Sequence, residues 1–129
     1  MINFLTALNT AFASSAVSAL VTGLYPFPAP QLTAYPLITW ELLGNSPNLQ
    51  TFDSLPEEIS IRFGVWSLTE TPLEAVTIRD AIRTWLDAVD LTIAGGYLIT
   101  ADWENEVLVH DPDGGFEYYI DYRFLIENT

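Results

Sequence analysis

Three acids, Asp102, Glu104 and Glu106, alternate along one short segment, and a strand there would hold them on one face about 6–7 Å apart. Separations of that order serve the paired carboxylates of glycoside hydrolysis. Such pairs flank a substrate across a cleft, whereas these acids follow one another along a single stretch of chain. With 17 Asp and Glu in the sequence, some clustering needs no catalytic cause, and an acidic solvent-facing strand accounts for it. His110 is the only histidine, and its near acids, Asp111 and Asp113, fall in the same turn. No serine sits in a Gly-x-Ser-x-Gly elbow, so no nucleophilic triad is assembled. The Asp111-Pro112-Asp113-Gly114 run lacks the repeated ligand spacing and terminal Glu of a calcium loop. The turn-forming habit of Asp and Gly explains it. Gly95-Gly96 and Gly114-Gly115 do not reproduce the Gly-x-Gly-x-x-Gly phosphate cradle, so no catalytic residue, metal site or cofactor is expected.

The missing residue types exclude further chemistry. There is no Lys and no Cys, which removes Schiff bases, phosphate-loop lysines, thiol nucleophiles, disulfides and thiolate metal sites. Against the 17 acids stand four Arg, for a formal net charge of −13, and that balance opposes binding to a phosphate backbone through a basic patch. Half the residues are apolar and 13% are aromatic, a composition suited to a packed core rather than to disorder. At 129 residues one domain is expected, spanning 1–129. The apolar N-terminal stretch has no Lys or Arg near Met1 and is interrupted by Asn3, Thr6, Asn9 and Thr10. It is therefore expected to belong to the folded domain rather than to a signal peptide. No run approaches the roughly 18 apolar residues of a membrane span, so a soluble protein is expected.

The elements that must position these residues follow from periodicity. Leu5, Leu8, Phe12, Ala16 and Ala19 recur at steps of three and four, which predicts an amphipathic helix from Ile2 to Leu20, stopped by Gly23. Pro26, Pro28, Pro30 and Pro36 predict an irregular connector over 24–36. Strict alternation predicts strands over 37–43 and 57–68, with the polar, proline-containing Asn45 to Pro56 segment between them as a long loop. Thr71, Pro72 and Glu74 spell a capped helix start. That helix is expected over 72–89, burying Ile78, Ile82, Trp85, Leu86 and Val89, with Arg79, Arg83 and Asp87 on a solvated face. Strands are expected over 97–101, 103–109 and 116–127, the last two joined by the Asp-Pro-Asp-Gly-Gly turn. The resulting class is α+β, an antiparallel sheet of about four to five strands with two helices packed on one face.

The order of these features resembles the tail terminator, or tail completion, proteins of long-tailed bacteriophages. The resemblance runs over nearly the whole chain. It rests on an N-terminal helix followed by Leu24-Tyr25-Pro26, Ala29-Pro30-Gln31 and Tyr35-Pro36-Leu37-Ile38-Thr39-Trp40, where members tend to show a Tyr-Pro, an Ala-Pro-Gln and a Pro-led strand. It continues through Ile61-Arg62-Phe63-Gly64-Val65-Trp66-Ser67, a strand ending in an aromatic before the second helix, and the aromatic strand Tyr118 to Ile126.

That resemblance implies a non-enzymatic virion protein, made in the host cytoplasm and placed at the tail-neck junction. About six copies would form a ring on the head-proximal end of the tail tube, halt its growth and meet the head connector. The implied partners are other copies of itself, the tail tube protein and the connector, with DNA passing through unbound and no membrane involved. Lacking Lys, this chain departs from commoner members, so interfaces those build with basic residues need another basis here. Within that frame Asp102, Glu104 and Glu106 are expected to face the DNA passage, where like charge lets the genome pass without sticking. Asn45, Pro47, Asn48, Gln50, Phe52 and Asp53, in the long polar loop, are the expected contacts with the tube or a neighbouring subunit. Trp40, Trp66 and Trp103 are either core or subunit contacts. Two other classes compete: an acidic module that imitates DNA to occupy a basic protein, and a small carboxylate hydrolase.

Overall fold

The computed structural model describes residues 1–31, 33–47 and 55–128. In chain order it contains α1 (Ile2–Ser14), a 3-10 turn (Ala16–Ala19), β1 (Leu24–Pro26), β2 (Leu37–Pro47), β3 (Leu55–Ser67), α2 (Leu73–Asp87), β4 (Gly96–His110) and β5 (Phe116–Asn128). The strands form one mixed sheet in the order β1-β2-β3-β5-β4. Every pairing is antiparallel except β1 with β2, which run parallel over Leu24–Ile38 to Pro26–Trp40. The expected α+β class holds, with one parallel edge pair added.

Period-two alternation sets the two faces of the sheet. On β3, Ile59, Ile61, Phe63 and Val65 are buried, and on β5 so are Ile120, Tyr122, Phe124 and Ile126. Both helices cover this face. Phe4 of α1 packs on Phe124 with ring centroids 5.0 Å apart, and Ala75, Ile78, Ile82 and Leu86 of α2 complete the core. Full burial of an aliphatic or aromatic side chain contributes roughly 1.5–3 kcal/mol. The inner residues of β3 and β5 are therefore what makes the central strands the fixed frame.

Local details differ from the periodic reading. The chain turns extended at Ser15 (φ −85°, ψ 160°), and the Ser15 hydroxyl donates to the carbonyl of Phe12 at 2.7 Å. The helical phase resets there, so Phe4, Ala7, Leu8, Phe12 and Val17 are buried while Ala16 and Ala19 are exposed. Helix α2 begins one residue after Pro72 and carries no side-chain cap. Glu74 accepts instead from the Ser67 hydroxyl at 2.8 Å, tying the helix start to the end of β3. The connector contains β1, and its prolines carry cis peptide bonds at Phe27–Pro28 and Tyr35–Pro36. The two strand candidates near residue 102 are a single strand, β4, bent by irregularities at Leu98/Thr100 and Trp103/Asn105.

Two glycines make the β4–β5 turn possible. Gly114 and Gly115 sit at φ +106° and +89°, in the left-handed region that disfavours side chains. A Cβ on Gly115 would also collide with the Ser67 carbonyl oxygen, so the turn packs directly on the end of β3.

Candidate functional site

The three alternating acids do not share a face. Asp102 lies opposite Arg123, Trp103 opposite Tyr122, Asn105 opposite Asp121, and Glu106 opposite Ile120. The extra residue between Trp103 and Asn105 is a bulge, and a bulge reverses the parity of everything beyond it. Asp102 therefore sits on the open face of the sheet beside Arg123. Glu104 forms an ion pair with Arg123 at 3.1 Å. Glu106 is turned to the helix side, which corrects the expectation that all three line one wall.

Glu106 is the hub of the seam between α2 and β4. Its carboxylate accepts from Arg79 Nε at 2.8 Å and Nη2 at 2.6 Å, and from the Tyr118 hydroxyl at 3.1 Å. Arg79 also reaches Asp80 at 2.6 Å. Hydrogen bonding from Arg79 holds the Glu106 carboxyl below its usual range, against the opposing effect of burial. Burial, then the bond to Glu106, raises the Tyr118 phenol. One turn on, Arg83 pairs with Asp87 at 3.1 Å and lies over the Trp103 ring, 4.6 Å from its centroid. The Tyr122 hydroxyl donates to Asp87 at 2.8 Å. The arginine face of α2, expected to be solvated, thus grips the edge strand. A bidentate guanidinium–carboxylate pair fixes geometry through two parallel bonds, each about twice as strong as a neutral one.

The expected loop is shorter than its sequence span. Asn45, Ser46 and Pro47 continue β2, opposite Ile59, Glu58 and Glu57, because strand pairing persists past the bulge at Leu42/Gly44. Leu55 and Pro56 already belong to β3. Asn48, Gln50, Phe52 and Asp53 lie outside the described residues. His110 ends β4, stacked on Phe116 at 4.8 Å between ring centroids, and Asp111 accepts from the Asp113 amide at 2.9 Å in the turn. Among the described residues no group of three or more acids and histidines is placed to hold a metal ion. No helix among them is long and apolar enough to cross a membrane.

The open face carries a feature that alternation alone did not reveal. The 27–36 connector folds over β2 and β3, so Phe27 stacks on Trp66 (6.3 Å, 17°) and Tyr119 meets Trp66 edge-on at 6.1 Å. Trp66 Nε1 donates to Thr39 Oγ1 at 2.9 Å. Beneath lies an apolar groove of about 330 Å³, bounded by Phe27, Pro28, Pro30, Tyr35, Leu37 and Trp66. A notch of about 120 Å³ adjoins it, lined by Phe27, Thr39, Glu41, Arg62, Gly64 and Tyr119. Arg62 is held by Asp121 through two bonds of 2.8 and 3.0 Å and lies over the Tyr119 ring. Burial, then the bond to Glu117, pushes the Tyr119 phenol up to about 12. The one available signal was a pair of residues on the polar side of β3, Gly64 and Trp66, that are not polar. Of the other tryptophans, Trp40 is half-buried against the core and Trp103 is exposed at the β4 edge. A second open groove, of about 550 Å³, runs between α1 and residues 88–94, lined by Thr6, Thr10, Ser14, Trp85 and Asp90.

Comparison with known proteins gives two positive findings. The family model described as "Tail completion protein gp17" matches residues 6–127. The fold is similar to that of a chain in the solved virion of a native gene transfer agent particle, with a TM-score of 0.79 and 16% identity, covering 95% of this chain and 93% of that one. No curated protein matches the sequence.

Proposed function

The chain belongs to the tail completion protein gp17 family, and from that membership we propose that it terminates a phage tail as a ring of about six copies. Family membership makes it a structural protein of a phage-like virion, and implies a role without catalysis. The finer reading is that the ring seats on the head-proximal end of the tail tube, stops its growth and joins it to the head connector. The observation that carries it is the family match over 6–127.

The physics of the role fits what the fold offers. Subunits that stack head to tail along an axis never close, so growth ends only when a unit presents one end like the incoming subunit and the other unlike it. Ring contacts must also outweigh the repulsion between copies that each carry −13, a force screened over about 8 Å at physiological salt. The β4 edge supports such contacts, because Tyr97, Ile99, Trp103, Val107 and Val109 are exposed along it and its outer backbone groups pair with no strand among the described residues. Edge strands of this length and apolarity usually have a partner.

In this reading Asp102 and Glu104 contribute to an acidic wall for DNA passage. Glu106 is left out, since it lies on the helix side of the sheet opposite Ile120, where Arg79 and Tyr118 hold it. The segment joining β2 to β3, which includes Asn48, Gln50, Phe52 and Asp53, is proposed to touch the tube or the next subunit on the strength of its length and polarity. Electron microscopy of particles made without this chain tests the role. Tails of unregulated length, unattached to heads, are expected. Tails of normal length joined to heads would rule it out.

A further inference from the structure

We infer that the notch between Phe27, Glu41 and Tyr119 receives an arginine or lysine side chain from a second protein, presented on an extended segment whose apolar flank lies in the adjoining groove. The inference goes beyond tail termination and stands without it, since an isolated subunit would present the same surface.

Gly64 lines the notch, and a Cβ there would meet Thr39 Oγ1 at 2.8 Å and Trp66 Nε1 at 3.0 Å, so glycine is what lets the bonded Thr39 and Trp66 side chains close over this point of β3. Phe27 and Tyr119 line the notch as well, with Arg62 already over the Tyr119 ring, so Phe27 supplies the aromatic surface for a further cation. Glu41, half-buried, also lines it, and it lies opposite Arg62 without forming a hydrogen bond or ion pair among the described residues. Arg62, the one cation lining the notch, is already held by Asp121. Phe27 and Thr39 line both the notch and the larger groove, so the two form one path. Phe27 and Tyr35 are both exposed along it, at 49% and 44%. Aromatic and proline-lined grooves of this shape accept extended peptide, whose backbone is already ordered.

Charge identifies the occupant. Glu41 lies directly across the strand pair from Arg62, whose hydrogen bonds go to Asp121, and Glu117 is bonded to Tyr119, so three acids stand near one arginine and a further cation would complement them. A second copy offers no arginine that lacks a carboxylate partner. Its four arginines are each committed to carboxylates, Arg62 to Asp121, Arg79 to Glu106 and Asp80, Arg83 to Asp87, and Arg123 to Glu104. There is no Lys, and the N-terminal amine is 4.0 Å from Glu57. A basic segment of another protein is the remaining source.

The test uses the full chain, labelled with nitrogen-15 and titrated with acetyl-Ala-Pro-Arg-Pro-Ala-amide and with the same peptide carrying norleucine in place of arginine. The indole signal of Trp66, assigned by Trp66→Phe, and the amides of Phe27, Glu41 and Tyr119 are followed. The arginine peptide is expected to move these signals saturably and to bind at least tenfold more tightly than the norleucine peptide. Glu41→Gln should remove most of that preference, and Phe27→Ala should weaken both peptides, while the remaining spectrum of each variant stays folded. Equal binding of the two peptides would overturn the inference. So would shifts spread over the acidic surface, or shifts indifferent to Glu41→Gln, since either means the charge of the whole molecule rather than the notch attracts the peptide. Absence of any shift at millimolar peptide would overturn it as well.

Discussion

Replacing Glu106 by glutamine keeps the side chain's volume and removes its charge, and the structure says the consequence falls on stability rather than on any DNA-facing surface. Glu106 and Arg79 have side chains only 19% and 24% exposed and meet through two short bonds, with the Tyr118 hydroxyl as a third donor. An exposed ion pair is worth about 0–1 kcal/mol, whereas hydrogen bonds to a charged group contribute about 1.5–3 kcal/mol. The half-buried bidentate geometry places Glu106→Gln at about 2 kcal/mol of destabilisation. With a urea slope near 2 kcal/mol/M for a small domain, the midpoint should fall by about 1 M at fixed protein concentration. Asp80→Asn is the matched control. Asp80 also bonds Arg79 but is 60% exposed, and its loss should shift the midpoint by about 0.5 M or less. The difference between wild type and Glu106→Gln should depend on pH. Because Arg79 depresses the Glu106 carboxyl, its contribution is complete above the unfolded value of about 4.3. It disappears as pH falls through the lower folded value. Equal shifts for the two variants, or a gap between wild type and Glu106→Gln that widens on acidification, would refute this account of the seam.

Other substitutions probe the frame and the open face. Gly115→Ala imposes both a positive φ and a collision with the Ser67 carbonyl, so a thermal melt should show a loss above about 2 kcal/mol. Gly95→Ala, at φ +75° with no atom within 4 Å of the new methyl, isolates the strain alone at about 1 kcal/mol. Phe124→Ala removes a fully buried ring in contact with Phe4, Phe63 and Tyr122 and should cost about 3–5 kcal/mol by chemical denaturation. Thr39→Val leaves Trp66 Nε1 without its acceptor, and a loss of about 1–2 kcal/mol with a shifted Trp66 indole resonance is expected.

The central strands and both helices were legible because burial imposes periodicity on residues that fill a core. Ile59 to Val65 and Ile120 to Ile126 alternate without interruption and are the inner face of the sheet. What periodicity could not carry was any local change of phase. Ser15 resets the first helix, so a stripe drawn through Ala16 and Ala19 pointed to solvent. The bulge at Trp103/Asn105 turned Glu106 inward, and nothing in Asp102-Trp103-Glu104-Asn105-Glu106 distinguishes a bulged strand from a regular one. The roles of Arg79 and Arg83 were hidden for a related reason. Spacing shows that they share a helix face, but which strand that face meets is a tertiary fact. The groove beside Trp66 was equally out of reach, since it exists only because the proline-rich connector folds back over β2 and β3.

The claim on which the rest depends is that the chain works as a shaped plug in an assembly. Native mass spectrometry of the purified protein, with and without isolated tail tubes, combined with electron microscopy of the mixture, tests it most directly. A ring of about six subunits, bound at one end of each tube and preventing further growth, is the predicted result. A monomer that leaves the tubes bare and free to elongate would contradict it.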